Sequence, residues 1–345
     1  MATTMALSPY RNSLVISLRL LLVLEWVIFL SFHWSFGYAE LQTFHHPLKP
    51  DGSISFLVIG DWGRKGYYNQ SEVAQQMGRK GEEMNIDFVV STGDNFYDNG
   101  LKDINDPNFQ ESFTNVYTAK SLQKPWFNVL GNHDYRGDVK AQLNPILRKT
   151  DSRWLCLRSF ILNTEVADLF FVDTTPFVEE YFTSPDGQFY DWRDILPRQY
   201  YIANLLKDLE LALARSTSTL KIVIGHHAIR SIAHHGDTIE LIHMLLPMLQ
   251  DNNVDFYING HDHSLEQISC MGSPMQFFTS GGGSEAWRGD EKGLGDNKCA
   301  VNFFYDGQGF MSTQISSTNA KFVFYNVNGE TLHSWNRSKL FHSSF

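Results

Sequence analysis

Five times in this chain a short apolar run ends in Gly, and the residue after that Gly is a metal-ligand type. Ile54 to Ile59 leads to Gly60-Asp61, and Phe88 to Val90 leads through Ser91-Thr92 to Gly93-Asp94. Trp126 to Leu130 leads to Gly131-Asn132, and Leu220 to Ile224 leads to Gly225-His226. Phe256 to Ile258 leads through Asn259 to Gly260-His261. Each run is β-branched or aromatic and apolar at successive positions, which is the pattern of strands buried on both faces of a sheet. Helical patterns lie between several of them. Ser71 can cap a helix through about Met84, and Ile202, Leu205, Leu206, Leu209 and Leu213 form a stripe at helical spacing. Ile239 to Leu249 reads as another helix, with Pro247 near its end. Strands alternating with helices imply crossover units and parallel pairing. Functional groups then gather beyond the carboxyl ends of the strands, so five strand ends can deliver five ligands to one place. The glycines there accept backbone angles a side chain would forbid and let the chain turn sharply.

The C-terminal third differs. Gln276 to Thr279, Phe303 to Tyr305, Gly309 to Ile315 and Lys321 to Val327 read as strands joined by turns. Gly281-Gly282-Gly283-Ser284 is a loop signal and not a flexible linker, because strand-like runs flank it closely; it could border the pocket, with a structural turn as the preferred reading. Two packed sheets with helices outside them account for this distribution. The expected fold is α/β, a four-layer α/β/β/α sandwich of two mixed sheets. No interdomain linker interrupts residues 40–345, which read as one catalytic domain.

Asp61, Asp94 and Tyr97 offer hard, anionic oxygen donors that suit a trivalent ion such as Fe(III). The imidazoles of His226, His261 and His263 and the amide oxygen of Asn132 suit Zn(II), Mn(II) or Fe(II). One metal cannot use all seven well. Two can, if a carboxylate bridges them, and pairs about 3.5–4 Å apart are a known arrangement for in-line attack on phosphorus. Tyr97 follows Asp94 closely enough for one turn to aim both inward. His133, beside Asn132, could face a substrate instead of a metal, and His235 lies in a loop-like stretch beyond His226. Asp134 and Asp262 read as partners that orient neighbouring histidines.

The set resembles the purple acid phosphatases, of the small plant and mammalian type, within the calcineurin-like metallophosphoesterases. The residues that carry the resemblance are Gly60-Asp61-Trp62-Gly63, Gly93-Asp94-Asn95-Phe96-Tyr97, Gly131-Asn132-His133-Asp134, Val223-Ile224-Gly225-His226 and Gly260-His261-Asp262-His263. Tyr97 is the discriminating member, since the wider superfamily usually lacks it. The resemblance implies a metallophosphoesterase fold and an acid phosphatase acting on phosphate monoesters. It implies Fe(III) held by Asp61, Asp94, Tyr97 and His263. A second, divalent ion (Zn, Mn or Fe) is then held by Asp94, Asn132, His226 and His261, with Asp94 bridging. His133 and His235 match the family's substrate-side histidines, and hydroxide attacks phosphorus in line. A phosphodiesterase or phosphoprotein phosphatase on the same scaffold is the nearest rival. A metal- or phosphate-binding protein of low turnover is the rival from another class.

The remaining features bear on partners and compartment. The net charge is −10 and no Lys/Arg run stands out, which argues against nucleic acid. Small phosphorylated molecules are the expected partners, and a monomer is favoured. Arg11 and Arg19 precede the apolar stretch Leu20 to Leu30, and Gly37 and Ala39 suit cleavage before Glu40. Residues 1–39 therefore read as a secretory signal peptide, with an uncleaved anchor as the competing reading. No stable membrane anchor is expected in the mature chain. The destination is the secretory pathway: extracellular space, cell wall, or vacuole or lysosome. Asn69 and Asn336 head sequons and are glycosylation candidates. Of Cys156, Cys270 and Cys299, one pair could bridge; which pair stays open at this stage.

Overall fold

The computed structural model describes residues 40–338; the expected signal segment, 1–39, lies outside the described residues. The strands are β1 (Gln42–His45), β2 (Ile54–Ile59), β3 (Phe88–Ser91), β4 (Trp126–Asn128), β5 (Trp154–Cys156), β6 (Phe160–Asn163), β7 (Ala167–Phe171), β8 (Leu220–Ile224), β9 (Phe256–Asn259), β10 (Leu265–Cys270), β11 (Gln276–Ser280), β12 (Cys299–Tyr305), β13 (Gly309–Ile315), β14 (Asn319–Asn326) and β15 (Thr331–Ser338). They form an eight-stranded sheet in the order β1-β6-β7-β8-β9-β11-β10-β12 and a seven-stranded sheet in the order β15-β14-β13-β2-β3-β4-β5. Both are mixed. β2 to β5 run parallel and β13 joins β2 antiparallel; β7, β8, β9 and β11 run parallel, with β10 antiparallel beside β11.

The layers follow from alternation along the strands. On β2, Ile54, Phe56 and Val58 enter the core between the sheets, where they meet Ile222, Ile224, Phe256 and Ile258. Leu57 and Ile59 point the other way, into a second core with Val73, Ala74 and Met77 of the helix Gln70–Met84. On the far side, Val223 and Tyr257 pack with Ile202, Leu205, Leu209 and Leu213 of the helix Arg198–Arg215. The order is helix, sheet, sheet, helix, as the sequence implies. Each fully buried large side chain contributes about 1.5–3 kcal/mol.

Some local expectations need correction. The first helix begins at Gln70 with Asn69 at its cap position in a left-handed conformation, and Ser71 does not cap it. Instead the buried Gln70 carboxamide accepts from the N–H groups of Arg64 and Gly66 and ties down the loop after β2. The stretch from Ile239 divides into helices Ile239–Met244 and Leu246–Asp251, with Pro247 in the first turn of the second. Proline lacks the N–H a continuous helix needs there, so it starts a helix better than it extends one. Several strands, β5 to β7 among them, carry no Gly-ligand tail and were not marked by the recurring pattern. Cys270 and Cys299 form the disulfide, across directly paired positions of β10 and β12, and Cys156 is free and buried.

Candidate metal centre

The predicted oxygen ligands and the predicted imidazoles come from different sheets. Asp61, Asp94, Tyr97 and Asn132 stand just past β2, β3 and β4 of the seven-stranded sheet, whereas His226, His261 and His263 stand just past β8 and β9 of the other. All seven are buried and meet where the sheets abut.

Tyr97 Oη lies 3.1 Å from Asp61 Oδ1, 3.0 Å from Asp94 Oδ2 and 3.0 Å from His263 Nε2. One hydroxyl hydrogen can serve only one of these three. On the other side, with the His226 Nδ1 hydrogen donated to the Thr92 carbonyl at 2.9 Å, Nε2 carries a lone pair. That nitrogen faces Asn132 Oδ1 at 3.0 Å, His261 Nδ1 at 3.2 Å and Asp94 Oδ2 at 3.5 Å. Asp94 Oδ2 belongs to both groups. The second oxygen of each carboxylate is held by backbone: Asp94 Oδ1 accepts from His133 N–H at 2.8 Å and Asp61 Oδ2 from His261 N–H at 3.0 Å.

Without a cation this crowding is unfavourable. Burial and the charge of Asp94 push the Asp61 carboxyl well above its usual range. Burial, Asp61 and Asp94 push the Tyr97 phenol up as well. Burial also opposes the Asp94 charge, yet His226 and His133 hold that carboxyl below its usual range. Cations between these groups would reverse each penalty, so the donor set fits a pair of metal ions.

Three of the seven residues carry left-handed backbone: Asp61 (φ 61), Asp94 (φ 50) and His261 (φ 71). That conformation costs a side chain about 1–2 kcal/mol. The strain therefore falls on the predicted ligands. Of the five preceding glycines only Gly93 has positive φ, which corrects the expectation that these glycines supply forbidden angles. Their main contribution is space. A Cβ on Gly131 would lie 2.2 Å from Asp94 Oδ1, and one on Gly260 would lie 2.5 Å from Asp61 Oδ2.

His133 and His235 flank the seam. The His133 ring lies 4.4 Å from that of Tyr97, and its Nδ1 meets the Asp98 carbonyl at 2.6 Å. His235 is exposed and stacks on His261 at 3.9 Å. A cleft of about 510 Å³ opens here, lined by Asn132, His235 and His261 together with Arg136, Tyr181 and Tyr190. A larger cavity of about 1040 Å³ nearby touches only Tyr97 of the seven. Neither Asp134 nor Asp262 accepts from an imidazole. Asp134 gathers N–H donors from Asn95, Phe96, Gly131 and Gln142, tying two ligand loops together. Asp262 accepts the His235 backbone N–H at 2.7 Å and so holds the loop that carries that ring.

Sequence reasoning missed Trp287 and Arg64 and left the places of His227 and Gly281 to Gly283 open. Trp287 stacks on His263 at 3.9 Å, on a ring whose Nδ1 is buried without a hydrogen-bond partner among the described residues. Arg64 lies over the Tyr97 ring at 3.9 Å and pairs with Asp98 and Glu285. His227 adjoins His226 and His261, with one nitrogen of each within 4.8 Å of the others. Both of its nitrogens are nonetheless engaged, by Thr174 Oγ1 and Tyr181 Oη. Gly281 to Gly283 border the site more closely than a turn requires: a Cβ on Gly281 would lie 2.0 Å from the Asp262 carbonyl and 2.9 Å from Asp61 Oδ2. A triple glycine was the one available signal.

A family model for calcineurin-like phosphoesterases matches residues 54–265. Purple acid phosphatase 3 of Arabidopsis thaliana is 61% identical over 300 residues, covering 87% of this chain and 82% of its own. The chain belongs to the purple acid phosphatases. Human tartrate-resistant acid phosphatase type 5 is 33% identical over 246 residues, covering 66% of this chain and 73% of its own. Among solved structures, the purple acid phosphatase PPD1 from yellow lupin seeds shares the fold, with TM-score 0.58 and 14% identity over 83% of this chain and 54% of that one. GAP50, described as the anchor in the inner membrane complex of Plasmodium, superposes with TM-score 0.68 at 25% identity, covering 83% of this chain and 89% of that one. As a purple acid phosphatase, this protein is an acid phosphatase with a dinuclear metal centre.

Proposed function

We propose that this phosphatase hydrolyses phosphate monoesters in the cleft at Asn132, with Fe(III) and a divalent ion (Zn, Mn or Fe) side by side in the seam. Asp61, Asp94, Tyr97 and His263 would hold the Fe(III), and Asp94, Asn132, His226 and His261 the divalent ion. The observation that carries this reading is Asp94 Oδ2, shared between a phenol at 3.0 Å and an imidazole at 3.5 Å. When bound, the ions supply Lewis acidity at the phosphate oxygens and acidify the attacking water. His133 and His235 approach the substrate from the cleft, where they stabilise developing charge and protonate the departing alcohol. Burial of His133 holds its imidazole below the usual range, while His235 keeps an exposed edge. The charge of a bound phosphate would favour their protonated forms.

Metal analysis, an absorption spectrum and assays on mono- and diesters between about pH 4 and 7 test this reading together. One iron and one divalent ion per chain, a visible tyrosinate band and preference for monoesters are expected. Preference for diesters would select the phosphodiesterase reading. Two bound metals without turnover would select the binding protein, a use of the fold that the likeness to a membrane-complex anchor keeps in view.

Residues 1–39 are proposed as a cleaved signal and 40–345 as one catalytic domain, secreted or vacuolar and monomeric. The Cys270–Cys299 disulfide supports an oxidising compartment. Asn69 and Asn336 are both exposed, as glycan acceptors must be. Among the described residues no helix is long and apolar enough to cross a membrane. Mass spectrometry of the mature chain checks the start at Glu40 and the two glycans.

A further inference from the structure

The contacts of His227 settle the direction of a short hydrogen-bond chain. Thr174 Oγ1 accepts from the backbone N–H groups of His226 and His227, at 3.1 Å each. Those two bonds use the acceptor capacity of a hydroxyl, which has one hydrogen left to donate. That hydrogen goes to His227 Nδ1, 3.1 Å away. A neutral imidazole that accepts at Nδ1 carries its hydrogen on Nε2. Nε2–H then donates to Tyr181 Oη at 3.0 Å. The reverse direction would crowd three N–H donors onto one threonine oxygen and strand its hydrogen. A doubly protonated ring would do the same.

The phenol hydrogen of Tyr181 is therefore not used by His227, and among the described residues His227 is the only hydrogen-bond partner of that hydroxyl. Tyr181 lines the same cleft as Asn132, His235 and His261. Its ring is held by stacking on Tyr190 at 5.0 Å. His227, which positions the hydroxyl, packs 4.3 Å from the His261 ring. We propose that Tyr181 donates its hydroxyl hydrogen to a phosphate oxygen of the substrate, and that Thr174 and His227 are positioning residues that keep the hydrogen turned into the cleft. This rests on the reading of that cleft as the phosphate site. It adds a neutral donor to the two histidines, one whose availability does not depend on their protonation.

Binding of inorganic phosphate to the metal-loaded protein tests the proposal without turnover, read by calorimetry and by the shift of the visible band. Tyr181→Phe should weaken phosphate binding about tenfold or more, the worth of one hydrogen bond to a charged acceptor. Metal content should not change. Thr174→Val removes the hydroxyl that orients His227 and should weaken phosphate binding similarly, although Thr174 is buried behind the cleft. Thr174→Ser restores the hydroxyl and should restore affinity. Unchanged affinity in Tyr181→Phe overturns the proposal. Wild-type affinity in Thr174→Val overturns the orienting role. A wild-type protein that holds two metals and binds no phosphate overturns the reading of the cleft itself.

Discussion

The oxygen half of the seam and the imidazole half are positioned by different means. Asp61 and Asp94 have short side chains, so the backbone must bring each carboxylate to its place. It does so through left-handed conformations and glycine-made space. The imidazoles reach further and are aimed by partners beyond their own backbone: His226 donates to the Thr92 carbonyl, and His263 stacks on Trp287. His261 is the exception that uses both, with φ 71 and its N–H on Asp61 Oδ2. Cross-ties then lock the halves together: Ser280 Oγ donates to the Val58 carbonyl at 2.9 Å, and Ser284 Oγ to the Asp61 carbonyl at 2.6 Å. Short ligands demand a rigid backbone, whereas long ones demand oriented partners.

The strongest way to break this comparison is at the oxygen both halves share. Asp94→Asn should cost several kcal/mol of transition-state stabilisation, about a thousandfold in kcat/KM, and should lower the content of both metals. Two metals retained at full occupancy would mean the halves are independent. Without metals the Asp94 carboxylate is still held ionised by His226 and His133, so metal-free Asp94→Asn should melt below metal-free wild type.

Tyr97→Phe tests the oxygen half alone. It should abolish the visible band and cut activity about a hundredfold or less, while the divalent ion on the imidazole half stays bound. A retained band would remove Tyr97 from the ligands. Gly131→Ala should destabilise the protein by about 1–3 kcal/mol, because its Cβ would lie 2.2 Å from Asp94 Oδ1 and 2.5 Å from Asp94 N. Denaturant unfolding measures this, and a smaller cost would show that the oxygen half has slack.

The smallest effect belongs to the imidazole half. Glu266 on β10 accepts from the Ser231 hydroxyl and the Ile232 N–H, near the loop of His235, and burial with the charge of Asp262 pushes it from 4.5 up to about 7. A carboxyl whose folded pKa exceeds its unfolded value keeps its proton longer in the fold. The native state is then favoured in acid, and that advantage is lost between pH 4.5 and about 7. Glu266→Gln should flatten the pH dependence of stability in that window, by on the order of 2 kcal/mol or less. Parallel slopes for variant and wild type in denaturant melts would contradict this.

Strands that carry a ligand were legible because each has a local mark: an apolar run, then Gly, then a donor. β5 and β6 have no such mark, and β15 is a half-exposed edge strand with a mixed pattern. The disulfide could not be chosen from three cysteines, since its geometry comes from the pairing of β10 with β12. Nor did any spacing show that His227 would meet Thr174 and Tyr181.

By itself the sequence determined the family, the two-sheet architecture and the seven candidate ligands, because those features are written in residues adjacent along the chain. Only the tertiary structure decided that oxygens come from one sheet and imidazoles from the other. It alone turned the five Gly-ligand marks into a seam with strained candidate ligands and crowded lone pairs. It also placed Trp287, Arg64, Thr174 and Tyr181 around that seam. Thr174 lies 52 positions from His226 and meets it through a single hydroxyl. A contact of that kind has no local pattern, since nothing near either residue in the chain records what the fold will bring beside it.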